Sequence, residues 1–343
     1  MAKVKKEGEE KLSKLEETMS RLNKAYGAGS VISMGKKESG IYNVISTGSL
    51  GMDYVVLGVG GIVLGKMYEF MGWEGTGKST LCGTLIANCQ KAYPDKKVLC
   101  IDSEHAVDMN YFRKLGVDTD ALLLNQPSYG EEGFNIAEEL INTGEIALCV
   151  LDSDSGLIPK IVMEAAVGEQ SKIGKKASLN STSYPKLKIA AHNNNCAIIV
   201  VSQYREKIGQ MFGDPTTTQG GHCLKFTADV RAQVSKTLIK APDGELKPGN
   251  ETKFKTIKNK MFPPYREHKF DILFGEGIDK FKETVNMAEE LGIFERSGSW
   301  YSYNDQKVAQ GFDNLLQFMR DNEDLYIDIQ GIVISKLQPE TKQ

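Results

Sequence analysis

Residues 72–79 read GWEGTGKS, and this stretch decides the fold. It fits G-x-x-x-x-G-K-[ST] at every fixed position. An apolar run, Met67-Tyr68-Glu69-Phe70-Met71, precedes it and reads as a short strand. A helix-like run, Thr80-Leu81-Cys82-Gly83-Thr84-Leu85-Ile86, follows. Strand, glycine-rich loop and helix make a phosphate cradle. Gly72, Gly75 and Gly77 let the backbone wrap close and aim its N–H groups at phosphate oxygens. Lys78 supplies a point charge between the terminal phosphates, and Ser79 offers a hydroxyl to Mg²⁺. A chance glycine-rich turn would not bring both flanks with it. The motif implies binding of a nucleoside triphosphate.

Working outward, the chain of 343 residues is long enough for one large core plus a smaller domain. Its 41 % hydrophobic and 25 % charged residues are ordinary globular composition. A net charge of −3 gives no whole-chain sign of nucleic-acid binding, so any such surface is local. No apolar run approaches the ~18 residues of a membrane span. The N-terminus, MAKVKKEGEEKLSKLEE, lacks the apolar region of a secretory signal. The six cysteines form no C-x-x-C pair and sit mostly in apolar runs. They read as buried thiols of a reducing cytoplasm. Neither they nor the four histidines have the spacing of a metal cluster.

Three strand-like runs follow the phosphate loop: Val98 to Asp102, Ala147 to Asp152, and Ala197 to Val201. They are continuously apolar, so both faces are covered, as in a mostly parallel sheet between helices. After residue 225 the pattern alternates more. Phe226 to Lys236, Lys253 to Lys260 and His268 to Phe274 read as an antiparallel extension. From about Gly277 short helices and a strand signal, Trp300-Tyr301-Ser302-Tyr303, mark a small C-terminal domain. At the other end Leu12, Leu15, Met19 and Leu22 recur on one helical face, and Gly27 and Gly29 end that helix. The stripe either folds back on its own core or docks on a neighbouring copy. The division is residues 1–36, an N-terminal oligomerisation helix and linker; 37–276, an α/β phosphate-loop core; and 277–343, a small α+β domain.

Three strand ends carry chemistry. Asp152, closing ALCVLDS, stands where phosphate-loop proteins place a carboxylate toward Mg²⁺. Glu104 follows the strand of CIDSEH, at the edge where open α/β sheets bind ligands; it is either a water-polarising base or a solvated surface acid. Gln203 closes the third run, where an amide can sense a γ-phosphate and pass that to the next loop. That loop, residues 204–221, is YREKIGQMFGDPTTTQGG, long for a connector. Residues 164–176, EAAVGEQSKIGKK, form a second glycine-bearing loop with three lysines. Their basic, hydroxyl and apolar side chains suit single-stranded nucleic acid, although two plain surface loops would have the same composition.

The chain resembles the bacterial-type RecA recombinases from about Leu12 to Asp321. The resemblance rests on ISTGSLGMD (45–53), the phosphate loop, IDSEHAVD (101–108), KLGVD (114–118), KIGQMFGDPTTTQGG (207–221), LKF (224–226), KNK (258–260), FGEGI (274–278) and WYSY (300–303). It implies a DNA-dependent ATPase that forms ATP-bound filaments on single-stranded DNA. Such enzymes pair it with double-stranded DNA and exchange strands in recombinational repair and the SOS response. ATP and Mg²⁺ are the implied cofactors, and the implied location is the cytoplasm, with no membrane partner.

By resemblance, Lys78, Glu104, Gln203, Lys258 and Lys260 are catalytic, the last two reaching the ATP of a neighbouring subunit. Gly72, Trp73, Glu74, Gly75, Thr76, Gly77, Lys78, Ser79, Thr80, Asp108, Tyr111, Asp152 and Phe274 hold nucleotide, with Ser79 and Asp152 on the metal. Lys172, Ile173, Gly174, Arg205, Lys207, Ile208, Phe212, Gly220 and Gly221 bind DNA; Ile173 and Ile208 separate base triplets. Phe226 and the N-terminal helix lie at the filament interface. Departures from the family pattern are Pro185 inside an expected helix that also lacks the usual basic residues, His222 for a usual Asn, Phe274 for a usual Tyr, and an ending, KLQPETKQ, that is not acidic. This divergence is compatible with a virus-encoded version. A structural filament or ATP switch with little hydrolysis is the competing reading, and Glu104 argues against it because a switch has no need of a base.

Overall fold

The structure is a computed structural model that describes residues 2–27, 29–32, 42–166, 174–206, 216–240 and 246–338, without the side chains of 2–13, 240 and 246–248. Two units divide it, residues 1–42 and 43–343. In the first, helix α1 spans Ala2–Tyr26. Past its end the chain folds back on Asn23, whose side chain accepts from Val31 N (2.8 Å) and donates to Val31 O (3.1 Å). On the apolar stripe Leu15 is 56 % exposed, and Met19 and Leu22 are half-buried.

In the second unit a small ribbon, β1 (Val44–Ile45) with β2 (Ile62–Val63), precedes the central strand β3 (Met67–Gly72). There follow α2 (Lys78–Ala92), β4 (Lys97–Asp102), α3 (Met109–Lys114), β5 (Leu122–Asn125), α4 (Gly130–Asn142) and β6 (Ile146–Asp152). Then come α5 (Lys160–Met163), α6 (Lys175–Asn194), β7 (Ala197–Glu206), β8 (Thr216–Thr218), α7 (Cys223–Thr227), β9 (Val230–Lys240), β10 (Leu246–Asn259), β11 (Glu267–Leu273) and β12 (Gly277–Ile278). Among the described residues the main sheet has ten strands, ordered β12-β11-β10-β9-β3-β7-β6-β4-β5, with β8 on β7. From β9 to β5 neighbours run parallel; from β9 to β12 they run antiparallel.

The continuous apolar runs explain the layering. Alternate residues of each buried strand face opposite sides. Val98, Cys100, Val150, Ile199 and Val201 meet Leu81, Leu85 and Ile86 of α2. Leu99, Ile101, Cys149, Leu151 and Ile198 meet Phe134 and Ile141 of α4 and Tyr184 and Leu187 of α6. Burial of such side chains contributes roughly 1.5–3 kcal/mol each. One buried ion pair crosses the centre: Arg231 Nε donates to Glu69 Oε2 (2.5 Å), and Ser202 Oγ donates to Glu69 Oε1 (2.9 Å). Glu69 stands opposite both Val200 and Arg231 in the ladder, so three strands share one charge.

Three expectations are corrected here. Phe226 and Thr227 are helical, and the first strand of the extension begins at Val230. That strand also pairs parallel with β3, so the switch to antiparallel comes one strand later. Strand β10 begins at Leu246, not Lys253. Pro185 does not break α6. It lies on the exposed side, between buried Tyr184 and Leu187, where water can serve the carbonyl freed at Ser181.

Gly277 and Ile278 still pair with β11. Beyond them α8 (Lys280–Glu290), the meander β13 (Glu295–Ser297), β14 (Trp300–Tyr303) and β15 (Gln306–Gln310), α9 (Phe312–Asp321) and α10 (Glu323–Leu337) enclose their own core of Val285, Phe294, Tyr301, Leu315, Met319, Ile329 and Val333. Buried Glu283 ties this layer back: Oε1 accepts from Ser49 Oγ (2.5 Å) and Gly51 N (3.1 Å), and its carboxylate also meets His268 Nε2 (2.9 Å). No helix of the described residues is long and apolar enough to cross a membrane.

Candidate nucleotide site and adjoining loop edge

The ends of β3, β4, β6 and β7 meet at one edge of the sheet, with Asp102 opposite Asp152 and Gly72 opposite Gln203. This is the edge where open parallel sheets place ligands. After β3 the chain turns through Gly77, whose left-handed φ of 91° is costly for other residues and starts α2. The free amides of that helix N-terminus thus face the loop, a ready anion site. Lys78 Nζ is buried and donates to Gly72 O (3.1 Å) and Trp73 O (2.7 Å). Burial lowers its pKa, opposed by the charges of Asp152 and Glu104.

Ser79 Oγ donates to Asp152 Oδ2 at 2.8 Å. Burial pushes the Asp152 carboxyl up to about 6 against the pull of that hydrogen bond. Glu104 faces the same space. Its Oε1 accepts from Gln203 Nε2 (2.7 Å) and from the Ser153 hydroxyl, which also meets Ser155 Oγ. Asp102 forms the turn beneath, accepting from Ala106 N (3.2 Å), Val107 N (3.1 Å) and Gln126 Nε2 (2.9 Å).

Lys78, Ser79, Glu104, Asp152 and Gln203 line a cleft of about 230 Å³ that also takes in Glu74, Gly75, Thr76, Thr80, Tyr111, Asn250, Ile272 and Phe274. A second hollow of about 290 Å³ continues past Asp102, Val107, Asp108, Tyr111 and Phe112. Asp108 caps α3 by accepting from Asn110 N (2.8 Å) and Tyr111 N (3.2 Å), and the Tyr111 hydroxyl meets Thr80 Oγ1 at 2.7 Å. Phe274 is 58 % exposed at the rim. Trp73 is 45 % exposed, and its ring meets Tyr204 edge-on at 5.9 Å. Among the described residues the Asn250 Oδ1, buried in the cleft wall, has no hydrogen-bond partner, and such an atom is one a polar ligand can satisfy.

Other expected residues lie elsewhere. Lys258 Nζ donates to Lys225 O (2.9 Å) and Phe226 O (3.0 Å), and Phe226 is 71 % exposed. Lys260 Nζ lies 3.2 Å from Asp229 Oδ1, which also accepts from Lys188 (2.7 Å). These lysines do not line the cleft. Lys172, Ile173, Lys207, Ile208 and Phe212 lie outside the described residues. Gly174 caps α6, Arg205 is exposed opposite Thr217, and Gly220 and Gly221 take left-handed φ values of 85° and 79°. Sequence reasoning gave no role to Ser153, Tyr204, Asn250 or Ile272. Ser153 and Tyr204 flank named residues, but Asn250 and Ile272 come from the far extension, and no local motif marks them.

The residues match the family model described as the RecA N-terminal domain over 13–279 and the RecA C-terminal domain over 282–338. The chain is 42 % identical over 320 residues to Protein RecA of Aquifex aeolicus (strain VF5), covering 93 % of this chain and 91 % of that protein. It is 42 % identical over 323 residues to Protein RecA of Clostridioides difficile (strain 630), covering 94 % and 91 %. To Protein RecA of Caulobacter sp. (strain K31) it is 41 % identical over 331 residues, covering 96 % and 91 %. Two matched domains, full-length likeness and a nucleotide cradle at the sheet edge converge: the chain belongs to the RecA family, the DNA-dependent ATPase recombinases of homologous pairing and repair.

Proposed function

We propose that ATP with Mg²⁺ occupies the cleft and that this chain's own side chains divide the work of hydrolysis. The observation that carries the reading is the contact of Glu104 Oε1 with Gln203 Nε2 at 2.7 Å, beside the phosphate loop. The phosphate-loop residues Gly72 to Thr80 cradle the phosphates, and Lys78 swings its ammonium from the loop carbonyls to them. The hydroxyl of Ser79 and the carboxylate of Asp152 are hard oxygen donors that fit Mg²⁺. Bound there, the ion neutralises phosphate charge. Glu104 orients the attacking water and takes its proton, and phosphate and ADP leave. Asp108 and Tyr111 contact the base in the adjoining hollow, with Phe274 at the rim. Gln203 senses the γ-phosphate and passes its state along β7 to the following loop.

In the same reading that loop and residues 164–176 bind single- and double-stranded DNA. Lys172, Ile173, Gly174, Arg205, Lys207, Ile208, Phe212, Gly220 and Gly221 meet backbone and bases. Phe226 and α1 join subunits, and Lys258 and Lys260 reach the neighbour's ATP. The domains in this reading are 1–36, 37–276 and 277–343, with Gly277 and Ile278 still pairing to the core sheet. A cytoplasmic location suits its free cysteines.

Glu104→Gln tests the reading. Turnover should fall roughly 10²-fold or more, as for loss of a positioned base, with ATP affinity near that of the parent. Hydrolysis at the parental rate, or parental turnover indifferent to single-stranded DNA, would overturn it.

A further inference from the structure

Asp154 lies two residues past Asp152 and is buried outside the nucleotide cleft. Its Oδ1 accepts from Tyr184 Oη (2.5 Å) and Asn180 Nδ2 (2.9 Å). Lys176 Nζ lies 3.8 Å from Oδ2 and donates to the carbonyl of Asp154, as well as to those of Ser155 (3.2 Å) and Leu157 (3.3 Å). Asn180 Nδ2 also reaches Gly220 O at 3.3 Å. Lys176 lies in the first turn of α6, directly after residues 164–174, and Gly220 lies near the end of the loop 204–221, so two segments far apart in sequence converge here, the first on the carboxylate itself and the second through Asn180.

The packing around that carboxylate leaves no slack. A Cβ at Gly220 would stand 2.1 Å from Asn180 Nδ2 and 2.8 Å from Asp154 Oδ2, and the left-handed φ of 85° also favours glycine. The adjoining Ser153 hydroxyl touches Glu104, so the node is covalently continuous with the nucleotide edge. Burial of a carboxylate is costly without partners. Here Lys176, Tyr184 and Asn180 are those partners, and each sits on α6 directly after the first loop.

We propose that Asp154 is a positioning residue that holds the ends of both loops, the second through Asn180, and couples their DNA occupancy to ATP turnover. The inference rests on the DNA-binding reading of the two loops. An exchange of one buried arrangement for another, biased from both sides, is what coupling requires.

The test is the ratio of ATP turnover with and without single-stranded oligonucleotide, in the full-length protein with ATP and Mg²⁺. In Asn180→Leu and Lys176→Met this ratio should fall about tenfold, a size typical of changes along a coupling network. Lys176→Arg keeps a cation on the carboxylate and should recover most of the ratio. A parental ratio in either first variant, with a parental melting curve, overturns the inference, as does an equal fall for Arg and Met. Where Asn180→Leu does not fold, Tyr184→Phe carries the test. It removes one hydroxyl at constant volume and should lower the ratio about threefold; no fall overturns the inference. A parent protein that DNA does not stimulate sinks the DNA reading and this inference together. A stimulated parent with unaffected variants sinks the inference alone.

Discussion

Charge buried at single residues gives two sharp tests. Glu69 and Arg231 lie in the middle of the sheet, paired at 2.5 Å. Removing one partner leaves the other buried and uncompensated, which costs roughly 3–5 kcal/mol. Arg231→Met should therefore lower the urea midpoint strongly, and adding Glu69→Leu should recover part of the loss. A midpoint like the parent's in Arg231→Met would show that the pair is not structural. Asp53 gives a pH signature. Burial pushes its carboxyl from 3.8 up to about 7, against hydrogen bonds from Thr47 and Ser46. The folded state then holds the proton more tightly than the unfolded chain. The contribution of Asp53 to stability accordingly declines as pH rises from about 4 to about 7 and is flat above. Asp53→Asn removes that titration. The difference in Tm between variant and parent should shift in the variant's favour across this window; a difference independent of pH would disprove the assignment.

At the scale of elements, α1 carries an apolar stripe that is only partly covered. Its stripe leaves Leu15 largely exposed, and the Asn23 side chain holds the following residues by bonding Val31 N. Residues 1–42 form a unit separate from 43–343. Docking on a neighbouring copy would bury the stripe, at roughly 1.5–3 kcal/mol per leucine. Removal of residues 1–30 should leave a folded, ATP-binding monomer that does not extend filaments. Sedimentation with ATP and single-stranded DNA, alongside a melting curve, decides this. Long filaments from the truncated protein would exclude α1 as the joint, and loss of folding would assign the stripe to its own core.

Whole-molecule behaviour follows from where charge and sites lie. The net charge is −3, so attraction to DNA has to come from a local surface. Binding to single-stranded DNA should weaken steeply with salt and vary little with sequence, as backbone contacts and base stacking require. Tight preference for one motif, unaffected by salt, would contradict this. Lys258 and Lys260 do not line the cleft of their own chain, being held by Lys225, Phe226 and Asp229. A site shared between subunits predicts complementation. Equal mixing of Lys78→Ala with the Lys258→Ala/Lys260→Ala protein should restore about a quarter of parental ATPase, the random share of intact head-to-tail interfaces. No activity at any ratio would rule out a shared site.

The amino-acid sequence by itself determined the parts whose signal is local. GWEGTGKS, the apolar runs ending at Asp102, Asp152 and Val201, and the turn chemistry at Gly77 each act within a few residues, so they announce strand, loop and helix directly. The tertiary structure alone decided which strands became neighbours. Pairing β9 with both β3 and β10 brings Asn250 and Ile272 to a cleft built from residues 72–80, and no periodicity encodes that meeting. It also decided that Phe226 would be helical and Pro185 harmless, because burial of Leu224, Tyr184 and Leu187 outweighs local propensity. The Asp154 node was illegible for the same reason. Its partners at 176, 180 and 184 share one carboxylate, and Asn180 reaches Gly220 O, only after α6 and the end of the loop 204–221 have packed together, where an unpaired buried charge would be too costly to keep.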